Sequence, residues 1–171
     1  MARGNRRSKD FTEANKDNED GAFYPFVPFC LVGSVQKFMH PLFKKADELS
    51  HTAIGAAIEV HRLKGPGLLE SIYEKCMMRE LELRGLTAVN QRLVQIEYKG
   101  LVFEEPLRFD VLLEDCLLLE LKSVQEILPV HKAQLLSYMK LLDIPVGLII
   151  NFHEMKLVNG VVRLILPGAN Q

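Results

Sequence analysis

The chain has 171 residues, 48% of them hydrophobic, which suffices for one buried core and leaves little room for two ordinary domains. Its formal net charge of -1 excludes a global electrostatic pull toward nucleic acid, so any such binding must rest on a local patch. Cys30, Cys76 and Cys116 lie far apart without pairing or metal-ligand spacing, and no apolar run reaches the roughly 18 residues of a bilayer span; a reduced, cytoplasmic protein with no membrane contact is expected.

Residues 1–38 divide into a polar part, Met1 to Gly21, and an aromatic, proline-bearing part, Ala22 to Lys37. Neither holds a helical or alternating pattern, so this segment is expected to be a disordered extension, with the folded domain over residues 39–171. Beyond Pro41 the apolar residues Leu49, Ala53, Ala57 and Val60, with Ile54 and Ile58 alongside, recur at steps of three and four and predict a helix ending near Leu63. Lys64-Gly65-Pro66-Gly67 reads as a turn, with Pro66 suited to the first position of a second helix. Leu68, Leu69, Ile72, Tyr73, Cys76, Met77 and Leu81 carry that helix to about Arg84, where Gly85 stops it.

The period then changes to two. Leu93 to Tyr98, Leu107 to Leu113 and Leu117 to Val124 predict three strands of an antiparallel meander, with Lys99-Gly100 as the first turn. Val130 to Leu142 returns to helical spacing, and Asp143 to Pro145 breaks it. Val146 to Phe152 is a continuous apolar run of the kind found in a strand covered on both faces, and Val161 to Leu166 is an edge strand reached through Asn159-Gly160. The order α-α-β-β-β-α-β-β predicts an α/β fold with a mixed sheet flanked by helices.

Chemistry concentrates on two of these strands. In Leu107 to Leu113 the odd positions are apolar and the even ones include Arg108 and Asp110; in Leu117 to Ser123 the odd positions Leu117, Leu119 and Leu121 are apolar and Glu120 and Lys122 share the other face. The expectation is one core face and one charged face. Matching the apolar faces through a three-residue turn at Glu114 to Cys116 sets Leu113 opposite Leu117 and Asp110 opposite Glu120. Two carboxylates about 5 Å apart repel by roughly 3–4 kcal/mol at an effective dielectric near 20. A hard divalent cation such as Mg²⁺ offsets this, because it takes oxygen ligands from a few carboxylates, water and phosphate. Lys122 reaches the same pocket, where an ammonium could orient a water or stabilise the charge of a pentacovalent phosphorane.

The ordered motifs Gly67-x-x-Glu70-x-x-Tyr73, Arg108-Phe109-Asp110, Glu120-Leu121-Lys122, Gln134-Leu135-Leu136-Ser137-Tyr138 and Ile150-Asn151-Phe152 resemble the GxxExxY family of the PD-(D/E)XK nuclease superfamily, over about Met39 to Leu166. The resemblance implies a restriction-endonuclease-like core and a nuclease that hydrolyses phosphodiester bonds in DNA or RNA with Mg²⁺, or Mn²⁺. It makes Asp110 and Glu120 metal ligands, Lys122 the catalytic lysine, and Glu70 an acidic group on the flanking helix that serves the metal and the catalysis. Gln134 with Tyr138 becomes a motif on the following helix. Phe109 stands where the superfamily's name puts proline. The resemblance begins just ahead of the first helix, so Met39 reads as the initiator and residues 1–38 fall outside it.

Each of these residues also has a plainer role. A carboxylate at Glu70 is favoured by the helix N-terminal dipole whatever its function. Tyr73 reads better as packing that holds its helix on the sheet, alongside the turn glycine Gly67. Gln134, with His131 and Tyr138 on the same side of its helix, faces either the pocket or the core. Arg108 pairs either with a carboxylate or with substrate phosphate. The remaining histidines, His40, His51, His61 and His153, show no zinc spacing. The alternative to a nuclease is a non-catalytic module on the same fold that binds nucleic acid or a protein. A core this small leaves little surface for target choice, so a homodimer or a partner protein is also expected.

Overall fold

In the computed structural model, which describes residues 39–171, three helices and five strands follow the order α1 (Phe43–Lys64), α2 (Glu70–Leu83), β1 (Ala88–Tyr98), β2 (Leu101–Leu113), β3 (Leu117–Lys122), α3 (Pro129–Leu142), β4 (Val146–Asn151) and β5 (Val161–Ile165). The sequence reading of residues 1–38, and Cys30 within it, lies outside the described residues. Cys76 and Cys116 are both free thiols. No helix among the described residues is long and apolar enough to cross a membrane.

The sheet is mixed and runs in chain order, β1-β2-β3-β4-β5. The pairs β1–β2 and β2–β3 are antiparallel, as the meander predicts, β4–β5 is antiparallel as well, and β3–β4 is parallel, with α3 as its crossover. α1 and α2 cover one face. Ala46, Ala53, Ala56 and Ala57 of α1 are fully buried, and their small side chains let the helix approach β3 and β4 closely. α3 covers the other face, where Leu135 and Met139 pack with Leu112, Leu118 and Ile149.

Several expectations need correction. α2 starts at Glu70 and not at Pro66, because Gly67 takes φ +94°, a conformation no helix contains, and the chain turns helical only after it. β1 begins at Ala88, and β2 begins at Leu101 and runs through Pro106. The proline is tolerated because β3 pairs only with Val111 to Leu113, which leaves β2 free on that side at Pro106. β3 ends at Lys122, two residues early, since a side chain takes over the backbone bonds of Val124.

The expectation of one core face and one charged face also fails. Leu112 and Leu118, at even positions, are as buried as their odd neighbours, because α3 covers their side of the sheet. The alternation itself breaks at Asp110. Between the pairs Arg108↔Gln91 and Leu112↔Val89, the residues Phe109, Asp110 and Val111 stand opposite Asn90 alone, a bulge in β2. Across it Leu107 and Phe109 pack with Leu112 on the α3 side, while Val111 and Leu113 pack on the α1–α2 side.

Candidate active site

The β2–β3 turn sets the register as the sequence predicts, with Leu113 opposite Leu117 and Val111 opposite Leu119. Glu114 and Asp115 both take positive φ, and the Glu114 carboxylate accepts the Thr87 N–H at 2.8 Å, which anchors the turn. One step beyond Val111 and Leu119 stand Asp110 and Glu120. Both line a pocket of about 280 Å³ with Glu74, Asn90, Arg108, Phe109 and Gln134.

Asp110 is partly buried, and its Oδ2 accepts the Leu121 N–H at 2.6 Å. Burial first, and then the charge of Glu120, push its pKa up to about 6, against the pull of the Leu121 N–H and of Lys122. Glu120 is 3% exposed and takes the Lys122 ammonium on Oε1 at 2.5 Å. Burial works to lower the pKa of Lys122, but the hydrogen bond and charge of Glu120, with help from Glu70 and Asp110, outweigh it and raise it. Bonded to Glu120, the Lys122 amine is suited to donate hydrogen bonds and to stabilise negative charge.

The other expected residues divide. Arg108 and Gln134 line the pocket. Glu70 does not: its Oε1 accepts the Ser123 N–H at 2.9 Å, beside Lys122. Tyr138 lies outside the pocket lining, half-buried against the apolar cluster on the α3 side. His131 accepts the Leu128 N–H through Nδ1 at 3.1 Å, at the start of α3. Tyr73 is fully buried, donates to the Gly65 carbonyl at 2.7 Å, accepts the Leu68 N–H at 3.1 Å and stacks on Phe152 with ring centroids 4.2 Å apart. It thereby ties the turn containing Gly67 to the end of β4.

Sequence reasoning missed Glu74 and Asn90, which line the pocket and bond each other, Asn90 Nδ2 to Glu74 Oε1, at 2.9 Å. The available signal was spacing: Glu74 lies at i+4 from Glu70 and so shares its helix ridge. Asn90 has no such signal, because it reaches the pocket only through the bulge opposite it.

The donor set suits a hard cation. The groups facing the pocket are the carboxylates of Glu74, Asp110 and Glu120 and the amides of Asn90 and Gln134, with no histidine or thiol among them. Among the described residues no group of three or more His, Cys, Asp or Glu is gathered tightly enough to enclose a metal. An ion here would rest on Asp110 and Glu120 with water and phosphate completing its shell, the manner in which Mg²⁺ is usually held.

No curated protein and no solved structure matches the chain. A family model does: that of the PD-(D/E)XK nuclease superfamily matches residues 47–164, well over half of the chain. The match runs from within α1 to within β5 and takes in both acidic strands, and on that ground the chain belongs to the PD-(D/E)XK nuclease superfamily.

Proposed function

We propose that the chain is a metal-dependent nuclease that hydrolyses phosphodiester bonds in DNA or RNA, of the GxxExxY kind within its superfamily. The catalytic domain is taken as residues 39–171, which contains the matched span. The single observation behind this reading is that Asp110 and Glu120 open on one pocket while the Lys122 ammonium is bonded to Glu120.

Asp110 and Glu120 would hold Mg²⁺, or Mn²⁺, each with one carboxylate oxygen not used by Leu121 N–H or Lys122. When bound, the cation lowers the pKa of a water and polarises the phosphoryl group. The chain's own residues do the rest. Lys122, bonded to Glu120, would stabilise the charge that develops on the phosphorane oxygens. Arg108 and Gln134 line the pocket, which supports a role for Arg108 in holding a flanking phosphate and for the Gln134 amide in orienting a water or a sugar hydroxyl. Phe109, 4% exposed, gives the pocket an apolar side that limits bulk water.

The test incubates the purified protein with single-stranded, double-stranded and structured DNA and RNA in Mg²⁺, Mn²⁺ or EDTA, beside Asp110→Ala and Lys122→Ala. Cleavage that needs the metal and is lost in both variants is expected. Cleavage that persists in both would overturn the assignment, and binding without cleavage would favour a non-catalytic module.

A further inference from the structure

Lys122 is the last residue of β3, and the next residues leave the sheet on the way to α3. A strand end of this kind normally frays, because its ladder has stopped. Here the backbone from Lys122 to Val124 is bonded from two directions. Just past the end of β4, Phe152 N–H donates to the Lys122 carbonyl at 2.7 Å. Asn151, the register partner of Lys122, spends its side-chain amide on Val124: Nδ2 donates to the carbonyl at 2.7 Å and Oδ1 accepts the N–H at 3.1 Å. From α2, Glu70 accepts the Ser123 N–H at 2.9 Å.

Asn151 is 1% exposed, and its Oδ1 also accepts the His153 N–H at 3.2 Å. A buried amide with both ends bonded to backbone does the work of a ladder where no strand is available. Neither Asn151 nor Glu70 lines the pocket, so both act at one remove from it. Resting on the reading of Lys122 as the catalytic ammonium, we infer that Asn151 and Glu70 are positioning residues which clamp the backbone of residues 122–124 and so fix that ammonium against Glu120.

A clamp makes different demands on the two side chains than a metal site would. Glu70 needs only an acceptor oxygen for Ser123 N–H, which glutamine also supplies. Asn151 needs a donor and an acceptor together, and aspartate supplies only the acceptor.

The experiment uses the full chain with Glu70→Ala, Glu70→Gln, Asn151→Ala and Asn151→Asp, each checked for folding by circular dichroism. One readout is the rate at which limiting acetic anhydride acetylates Lys122, followed by peptide mass spectrometry; the other is kcat and KM for metal-dependent cleavage. In Glu70→Ala and Asn151→Asp, labelling of Lys122 is expected to rise about fivefold as the strand end opens. In the same variants kcat is expected to fall about tenfold while KM holds within about twofold. Glu70→Gln recovers most of both losses. If Asn151→Ala does not fold, the other three variants carry the comparison.

Wild-type labelling of Lys122 in folded Glu70→Ala and Asn151→Asp overturns the clamp. So does a Glu70→Gln protein as defective as Glu70→Ala, which would make the charge of Glu70 the operative property. Labelling needs no substrate, so the clamp is decided by labelling even if the wild-type protein cuts no nucleic acid and the nuclease reading fails separately.

Discussion

The Asp110 carboxylate accepts the main-chain N–H of Leu121, one residue past Glu120, and so pins one acidic strand to the other at 2.6 Å. The bond holds the two carboxylates near each other although their charges repel, which is the arrangement a bridging cation would use.

Asp110 has its pKa raised to about 6 by burial and by Glu120, so the folded protein holds a proton that the unfolded chain releases near 3.8. The stability this contributes is full at low pH and is lost as pH rises through about 6. Urea melts from about pH 4 to pH 7 should show wild type losing on the order of 1–2 kcal/mol relative to Asp110→Asn, after discounting for solvent screening. A cation must displace the same proton. Mg²⁺ affinity, measured by calorimetry, should therefore strengthen with pH through that range by up to about tenfold per unit.

Lys122 and Glu120 have side chains only 13% and 4% exposed. Lys122→Met alone leaves a buried carboxylate without its cation and should cost about 3–5 kcal/mol. Adding Glu120→Gln should recover much of that, with a coupling of about 1–3 kcal/mol in a denaturant double-mutant cycle. Additive losses would mean that the pair does not interact in solution.

Glu74 adds negative charge beside Asp110 and is held by Asn90. Glu74→Gln keeps the size and an acceptor oxygen but removes the charge. Mn²⁺ affinity should drop by about tenfold, as for residues just outside a metal's own ligands, with the melting temperature little changed. Unaltered affinity would leave Glu74 as pocket wall.

A Cβ at Gly147 would lie 2.7 Å from Met139 Sδ and 3.0 Å from Leu135 Cδ2, both on α3. Gly147→Ala should destabilise by about 1–3 kcal/mol through overpacking. Gln134, carried on the same helix, shifts with it, so KM should rise as well. Unchanged stability would show that α3 yields without strain.

Much of the site could be read from the sequence because a single constraint, the matching of apolar positions across a short turn, fixes where Asp110 and Glu120 fall. What escaped has physical reasons. A bulge is a change of register and leaves no residue signature, so Asn90 gave no sign of facing the pocket. Glu74 is one acid among several on α2, and only the seating of that helix on the sheet selects it. The double-sided burial of β2 and β3 was signalled by the unbroken runs Val111 to Leu113 and Leu117 to Leu119, which an alternating reading passes over. The role of Asn151 depends on a parallel partner strand, and parallel pairing of distant segments is not marked by any local pattern.

Because β3 and β4 run parallel, the chain has to travel through α3 before Asn151 and Phe152 can reach Lys122. During synthesis the acidic hairpin of β2 and β3 pairs locally and early, while the support behind the ammonium arrives only once residue 152 has left the ribosome. Until then the end of β3 that carries Lys122 lacks the backbone partners that hold it in the folded domain.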